Sequence, residues 1–245
     1  MNIRPNMSLR AKLSNLIPEK IMNIKNNFNI FKFIILLCLV IPVTSLFAHP
    51  LDVDLQKIST VEVGWVYLKL GFTHIIPLGF DHILFVTGLF LLSTKLKPLL
   101  FQITSFTVAH SVTLALSMYN VISVPSYIVE PVIAFSIIFI AVENILTTKL
   151  HSWRIVIVFL FGLVHGMGFA GALKELGLPK TQFVNALISF NVGVELGQLT
   201  VVAICFLLVG LWFKSKQWYH SRIVVPASAM IACVALYWTI QRIFF

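Results

Sequence analysis

Residues 153–173 read WRIVIVFLFGLVHGMGFAGAL. Beyond Arg154 at its rim the stretch holds no charged side chain, yet His165 sits near its middle. Twenty-one helical residues measure about 30 Å, the thickness of a bilayer's hydrocarbon core. Similar apolar runs recur along the chain, and the composition agrees with them. Of 245 residues 58% are hydrophobic and 11% charged, with a mean hydropathy of +0.94. A soluble domain carries about 25% charged residues, so this chain has too little polar surface to cover a water-facing globule. The expected fold class is all-α, a polytopic helical membrane protein.

Working outward, six spans are expected at approximately 75–94, 98–118, 126–147, 153–173, 183–213 and 223–242, a bundle over residues 75–245. Before them, residues 1–48 read as a signal peptide: a basic stretch, the apolar run 33–48, and Ala48 at the cleavage position. The basic stretch is long, and a start at Met22 would make residues 1–21 an over-extended beginning. Residues 49–74 are expected as a short extracytoplasmic segment followed by an interfacial helix over 61–72, where Trp65, Tyr67 and Lys69 mix with apolar residues.

A net charge of +9 raises the question of nucleic acid, but the distribution of charge excludes it. Basic residues cluster before the first apolar run and in the loops after spans one, three and five: Lys95 and Lys97; Lys149 and Arg154; Lys214, Lys216 and Arg222. Basic loops stay cytoplasmic, so a multi-pass protein of the inner (cytoplasmic) membrane with an extracytoplasmic mature N-terminus is expected. Cys38, Cys205 and Cys233 all lie in apolar runs without a CxxC pair, which suggests neither a disulfide framework nor a thiolate site. The partner implied at this point is the lipid bilayer, with a homo-oligomer as an arrangement the chain allows.

The informative residues are polar where lipid should forbid them. Asp81, His82, His110, Glu130, Glu143, His165 and Glu195 fall within spans, with His74 at the edge of the first and Asn191 and Gln198 beside them. An aspartate at a span's centre costs about 2.5–3.5 kcal/mol or more, so such residues are functional candidates by default. No Lys or Arg is expected well inside a span to pair with these carboxylates; Arg242 stands at an edge. The acids are then protonated, bonded to neutral donors, or facing a bound cation. Imidazole with carboxylate is the ligand set of borderline metals such as nickel, cobalt, zinc and copper.

Depth brings these groups together. His110 and His165 each stand eight residues before the outer ends of their spans, Asn191 eight residues into its own, and Asp81 and His82 about seven from the outer end of theirs. Helical rise puts most of them in one layer roughly 10–12 Å below the outer surface. Bundles build metal sites from facing helices in this way. The expected ligands are His74, Asp81, His82, His110, His165, Asn191 and Glu195, with Glu130, Glu143, Gln198 and His49 as secondary candidates.

Each has a plainer alternative. Asp81 orients an imidazole rather than ligating. Asn191, Glu195 and Gln198, at i, i+4 and i+7, form a polar seam between helices. Gly162, Gly166 and Ala170 are a small-residue stripe for close helix packing. Pro77 and Gly79 favour a broken helix start at which His74 folds back. Glu143, near the cytoplasmic end, belongs to an exit route. His49 would open the mature chain with an amine and an imidazole on one residue, a capture ligand or simply a processed end.

Four motifs carry a family resemblance: Gly71-Phe-Thr-His74 with Gly79-Phe-Asp-His82; Phe106-Thr-Val-Ala-His110; Phe161-Gly-Leu-Val-His165-Gly-Met-Gly; and Phe190-Asn-Val-Gly-Val-Glu195-Leu-Gly-Gln198. Together they resemble the HupE/UreJ family of bacterial membrane proteins, in its second branch. That resemblance implies nickel or cobalt uptake associated with hydrogenase and urease. The Asp-His pair with an upstream His also looks like the H-x4-D-H signature of nickel/cobalt permeases, although six residues separate His74 from Asp81 here.

Three functions follow. The first is a permease for a divalent transition-metal cation (Ni2+ first, then Co2+, with Zn2+ or Cu2+ as further cargo), which is not an enzyme. The second is an intramembrane zinc-dependent lipid hydrolase using three histidines, an aspartate and Ser111. The third is a non-transporting metal sensor or assembly factor.

Overall fold

The computed structural model describes residues 59–93, 95–176 and 180–245. The expected signal peptide (1–48), the over-extended start (1–21) and His49 lie outside the described residues. Among these residues all regular structure is helical.

Helix α1 (Thr60–Ile75) begins at a reciprocal cap. The Ser59 side chain accepts the Glu62 N–H, and the Glu62 carboxylate accepts the Ser59 N–H at 2.8 Å. The helix stops before Pro77, which has no N–H and disfavours helical geometry in the residue before it. The Ile76–Pro77 peptide is cis. Ile76 and Gly79 still donate back to Phe72 and Ile75 at 2.9 and 3.1 Å. The chain then re-enters a helix as α2 (Phe80–Leu92), bent 69° from α1.

Five further segments follow: α3 (Leu96–Met118), α4 (Ser126–Leu146), α5 (Arg154–Leu176), α6 (Phe183–Cys205) and α7 (Val225–Phe244). A π-helical turn, Phe206–Gly210, carries α6 on to Phe213, and another, His220–Val224, leads into α7. Among the described residues five helices are long and apolar enough to cross a membrane, and six if the bent α1–α2 pair is one span.

The first span, expected over 75–94 with a broken start at Pro77 and Gly79, is broken there and resumes as a helix only at Phe80. The 13 residues of α2 reach only about 20 Å, short of a hydrocarbon core. The segment expected to be an interfacial helix is a tightly packed one. Its Val63, Tyr67, Gly71 and Ile75 form a buried stripe against α6. The other expected spans agree with the observed helices to within a few residues.

Three close pairs organise the bundle: α1 with α6, α3 with α5, and α4 with α7. Small residues bring two of them together. A Cβ on Gly71 would overlap the Phe190 carbonyl, and one on Gly193 would overlap that of Leu68. Gly162 and Gly166 lie against the backbones of Phe106 and His110 in the same way. The stripe expected on span four is therefore the α3–α5 contact. Helix α2, buried on most of its surface, packs among α4, α6 and α7 and is apolar nearly all round, as a central helix must be.

Candidate metal centre

The break between α1 and α2 builds the site. Gly79 lies so close to the His74 carbonyl that a Cβ there would overlap it. This contact folds the last turn of α1 onto the first turn of α2. The rings of His74 and His82 consequently meet edge to face with centroids 4.8 Å apart.

Helix α3 supplies the third imidazole. His110 is fully buried, its ring 6.0 Å from that of His82 and 6.3 Å from that of His74. One ligand nitrogen from each of His74, His82 and His110 lies within 4.8 Å of the others. The Nε2 atoms of all three rings are buried without a hydrogen-bond partner. Three imidazoles grouped this closely, each with a buried nitrogen that no protein group engages, are a donor set that a borderline transition-metal ion could take.

The opposite sides of two rings are held. His82 Nδ1 lies 3.1 Å from an Asp81 carboxylate oxygen, which also accepts the His82 backbone N–H at 2.9 Å. His110 Nδ1 lies 3.4 Å from the Asn191 side-chain oxygen, while the Asn191 amide donates to the Leu187 carbonyl at 2.8 Å. An acceptor on Nδ1 places the proton there and leaves Nε2 with a free lone pair. Metal-binding histidines are oriented by such partners. Asp81 and Asn191 therefore stand behind imidazoles in this arrangement.

His165 is adjacent to the triad and outside its tight group. Its ring is 5.0 Å from that of His82, Nε2 lies 3.1 Å from the Ser136 hydroxyl, and Nδ1 is buried without a partner. In the sequence Ser136 is legible only as a small polar residue on the same helix face as Glu143, and nothing there ties it to His165.

Glu195 and Gln198 lie on the seam between α3 and α6. Thr104 donates to Glu195 at 2.8 Å and Thr107 to Gln198 at 3.0 Å, so with Asn191 and His110 the polar face of α6 meets α3 at three points. Glu130 lies apart from the triad. It is half exposed, and Arg242 donates to its carbonyl at 3.0 Å and approaches its carboxylate at 3.9 Å.

Glu143 corrects an expectation. Arg154, expected in a loop, is fully buried, and its guanidinium lies 3.1 Å from the Glu143 carboxylate. Both guanidinium NH2 groups also reach the Asn144 side-chain oxygen at 3.2 Å, and the Asn144 amide donates to the Gly88 carbonyl at 2.8 Å. A buried cation does pair with a buried carboxylate in this bundle. The sequence conceals it because an arginine at the rim of an apolar run is more simply read as a topological marker. His220, which the sequence suggests is an ordinary surface residue, points Nε2 at the carbonyls of Asn144 and Thr147 at 3.0 and 3.1 Å.

Fold and site together define a multi-pass helical membrane protein with imidazoles converging inside the bundle. A family profile described as HupE / UreJ protein matches residues 52–242. The chain belongs to the HupE/UreJ family. No curated protein and no solved structure matches it.

Proposed function

We propose that this protein is a permease for a divalent transition-metal cation, nickel first and cobalt second, with His74, His82 and His110 as its ligands. The observation that carries the reading is the grouping of His74, His82 and His110, with one ring nitrogen of each within 4.8 Å of the others, inside the apolar helices of a HupE/UreJ chain. Borderline divalent ions favour imidazole ligands. With bonds of about 2.0–2.1 Å, nitrogens on one ion stand about 3–4 Å apart. The triad's nitrogens, within 4.8 Å of one another, lie close to that spacing.

The cation is cargo. It exchanges hydration water for imidazoles, and the Asp81 carboxylate behind His82 offsets part of its charge. Protons compete for the same lone pairs and favour release. In the bacterial inner membrane the histidine end faces outward, and the end with Lys95, Lys97, Lys149, Lys214 and Lys216 faces the cytoplasm. Transport rather than catalysis fits the serine nearest the triad in sequence. The Ser111 hydroxyl donates to the Thr107 carbonyl at 2.6 Å, within its own helix.

The test is uptake by proteoliposomes of purified protein, with nickel, cobalt, zinc and copper in parallel and a His82→Ala/His110→Ala variant as control. Saturable uptake of one metal, abolished in the variant, is expected. Tight binding without flux would overturn the permease and favour a sensor or an enzyme.

A further inference from the structure

One helical turn from the histidine layer, four helices each carry a phenylalanine. Phe85 follows His82 by three residues on α2, and Phe139 follows Ser136 by three on α4. Phe106 precedes His110 by four on α3, and Phe161 precedes His165 by four on α5. Helices α2 and α4 run opposite to α3 and α5, so +3 on the first two and −4 on the others are steps toward the same end of the bundle. The rings meet there. Phe85 lies 5.1 Å from Phe106 and 6.2 Å from Phe161, and Phe161 lies 5.6 Å from Phe139. His165 rests on this layer, its ring 4.9 Å from Phe106 and 5.4 Å from Phe85.

Beyond the rings the interior turns polar again. Asn144 bridges to the Gly88 carbonyl, and Arg154 pairs with Glu143. An ion leaving the histidines for that end between α2, α3, α4 and α5 meets the phenylalanines, which offer no lone pair. Phe85 and Phe106 are at most 1% exposed, so no water reaches them to hydrate the ion instead. A charge without ligands in an apolar setting is strongly disfavoured, and apolar constrictions close channels by excluding water.

We propose that Phe85, Phe106, Phe139 and Phe161 form the gate of the transport route, the barrier that holds a bound cation at the histidines until the rings move. The proposal rests on the permease reading and adds to it the element that limits the rate. It separates two properties that a merely structural aromatic core would not: metal affinity belongs to the imidazoles, and flux belongs to the rings.

The experiment compares wild type, Phe161→Ala and Phe161→Leu as full-length protein, reading Ni2+ binding by calorimetry in detergent and Ni2+ uptake in proteoliposomes. Phe161, like Phe139, is only half-buried, which makes it a milder place to cut than Phe85 or Phe106. Expected is a severalfold faster uptake in Phe161→Ala, a smaller rise in Phe161→Leu, and an unchanged binding isotherm in both. Uptake at or below wild type in variants that bind Ni2+ normally would overturn the gate and leave the permease standing. If Phe161→Ala fails to elute as a monodisperse species, Phe161→Leu decides by the same criterion. A wild type that binds Ni2+ but carries none overturns the permease reading, and the gate falls with it.

Discussion

Asp81 and His82 are neighbours in the chain, and the carboxylate of the first lies 3.1 Å from Nδ1 of the second while Nε2 of that ring is left without a partner. Adjacent residues on a helix point about 100° apart. Here the carboxylate engages Nδ1 of the imidazole and leaves Nε2 as the nitrogen with its lone pair free.

Removing the carboxylate should weaken metal binding without abolishing it. Partners of this kind contribute about 10–100-fold in affinity. Asp81→Asn, whose amide oxygen still accepts from Nδ1–H but carries no charge, is expected at the lower end of that range, and Asp81→Ala at the upper end. His82→Ala should eliminate measurable binding. Calorimetry with Ni2+ on the three variants gives the order. Equal, complete loss in all three would make Asp81 a ligand in its own right.

Asn191 holds His110 more loosely, at 3.4 Å, and is itself steadied by the Leu187 carbonyl. Asn191→Ala should therefore cost less than Asp81→Ala, about 10-fold or under in affinity. Glu195→Gln keeps an acceptor for Thr104 and is expected to leave Ni2+ affinity unchanged. A large loss in Glu195→Gln would bring that carboxylate back among the ligands.

Much of this site is legible in the sequence. Periodicity and depth place His82, His110 and His165 in one layer, because spans of similar length entered from known sides share a depth scale. The i, i+4, i+7 spacing puts Asn191, Glu195 and Gln198 on one face, and that face does meet α3. The division of labour among them is not legible. Whether a side chain ligates or stands behind a ligand depends on distances of about an ångström, set by how closely glycines such as Gly166 let helices approach. Pro77 and Gly79 signal the bend at Ile76–Gly79, but its 69° angle comes from packing. Arg154 stays hidden because its partner, Glu143, sits on another helix.

Gly79 is the simplest test of how the two half-helices are joined. An added methyl would meet the His74 carbonyl, a backbone atom that cannot rotate away. Gly79→Ala should lose about 1–3 kcal/mol of stability by overpacking, and the forced displacement of His74 should lower Ni2+ affinity as well. Gly171, on α5, is the control, since nothing lies within 4 Å of a Cβ placed there. Gly171→Ala should raise stability by about 0.5–1 kcal/mol, the ordinary gain for alanine in a helix. Thermal unfolding in detergent, with and without Ni2+, separates the two. Equal behaviour of the variants would mean that the turn is loose and does not position His74.

The Glu143–Arg154 pair poses the last question, because a buried ion pair at the far end of the bundle either holds helices together or belongs to the ion's route. Arg154 stands eleven residues before His165 on α5, about 16 Å along the axis, too far to touch the triad. Arg154→Met leaves the Glu143 carboxylate buried and unpaired, and breaking such a pair costs about 3–5 kcal/mol. Glu143→Gln/Arg154→Met removes both charges and should recover most of that loss, since an apolar replacement of a buried pair is often neutral. Unfolding temperatures of the single and double variants test this order. Uptake then assigns the role. A stable double variant that carries Ni2+ at the wild-type rate makes the pair a structural clasp between α4 and α5. One that binds Ni2+ normally but carries none makes Glu143 the acceptor on the inner side of the phenylalanine layer.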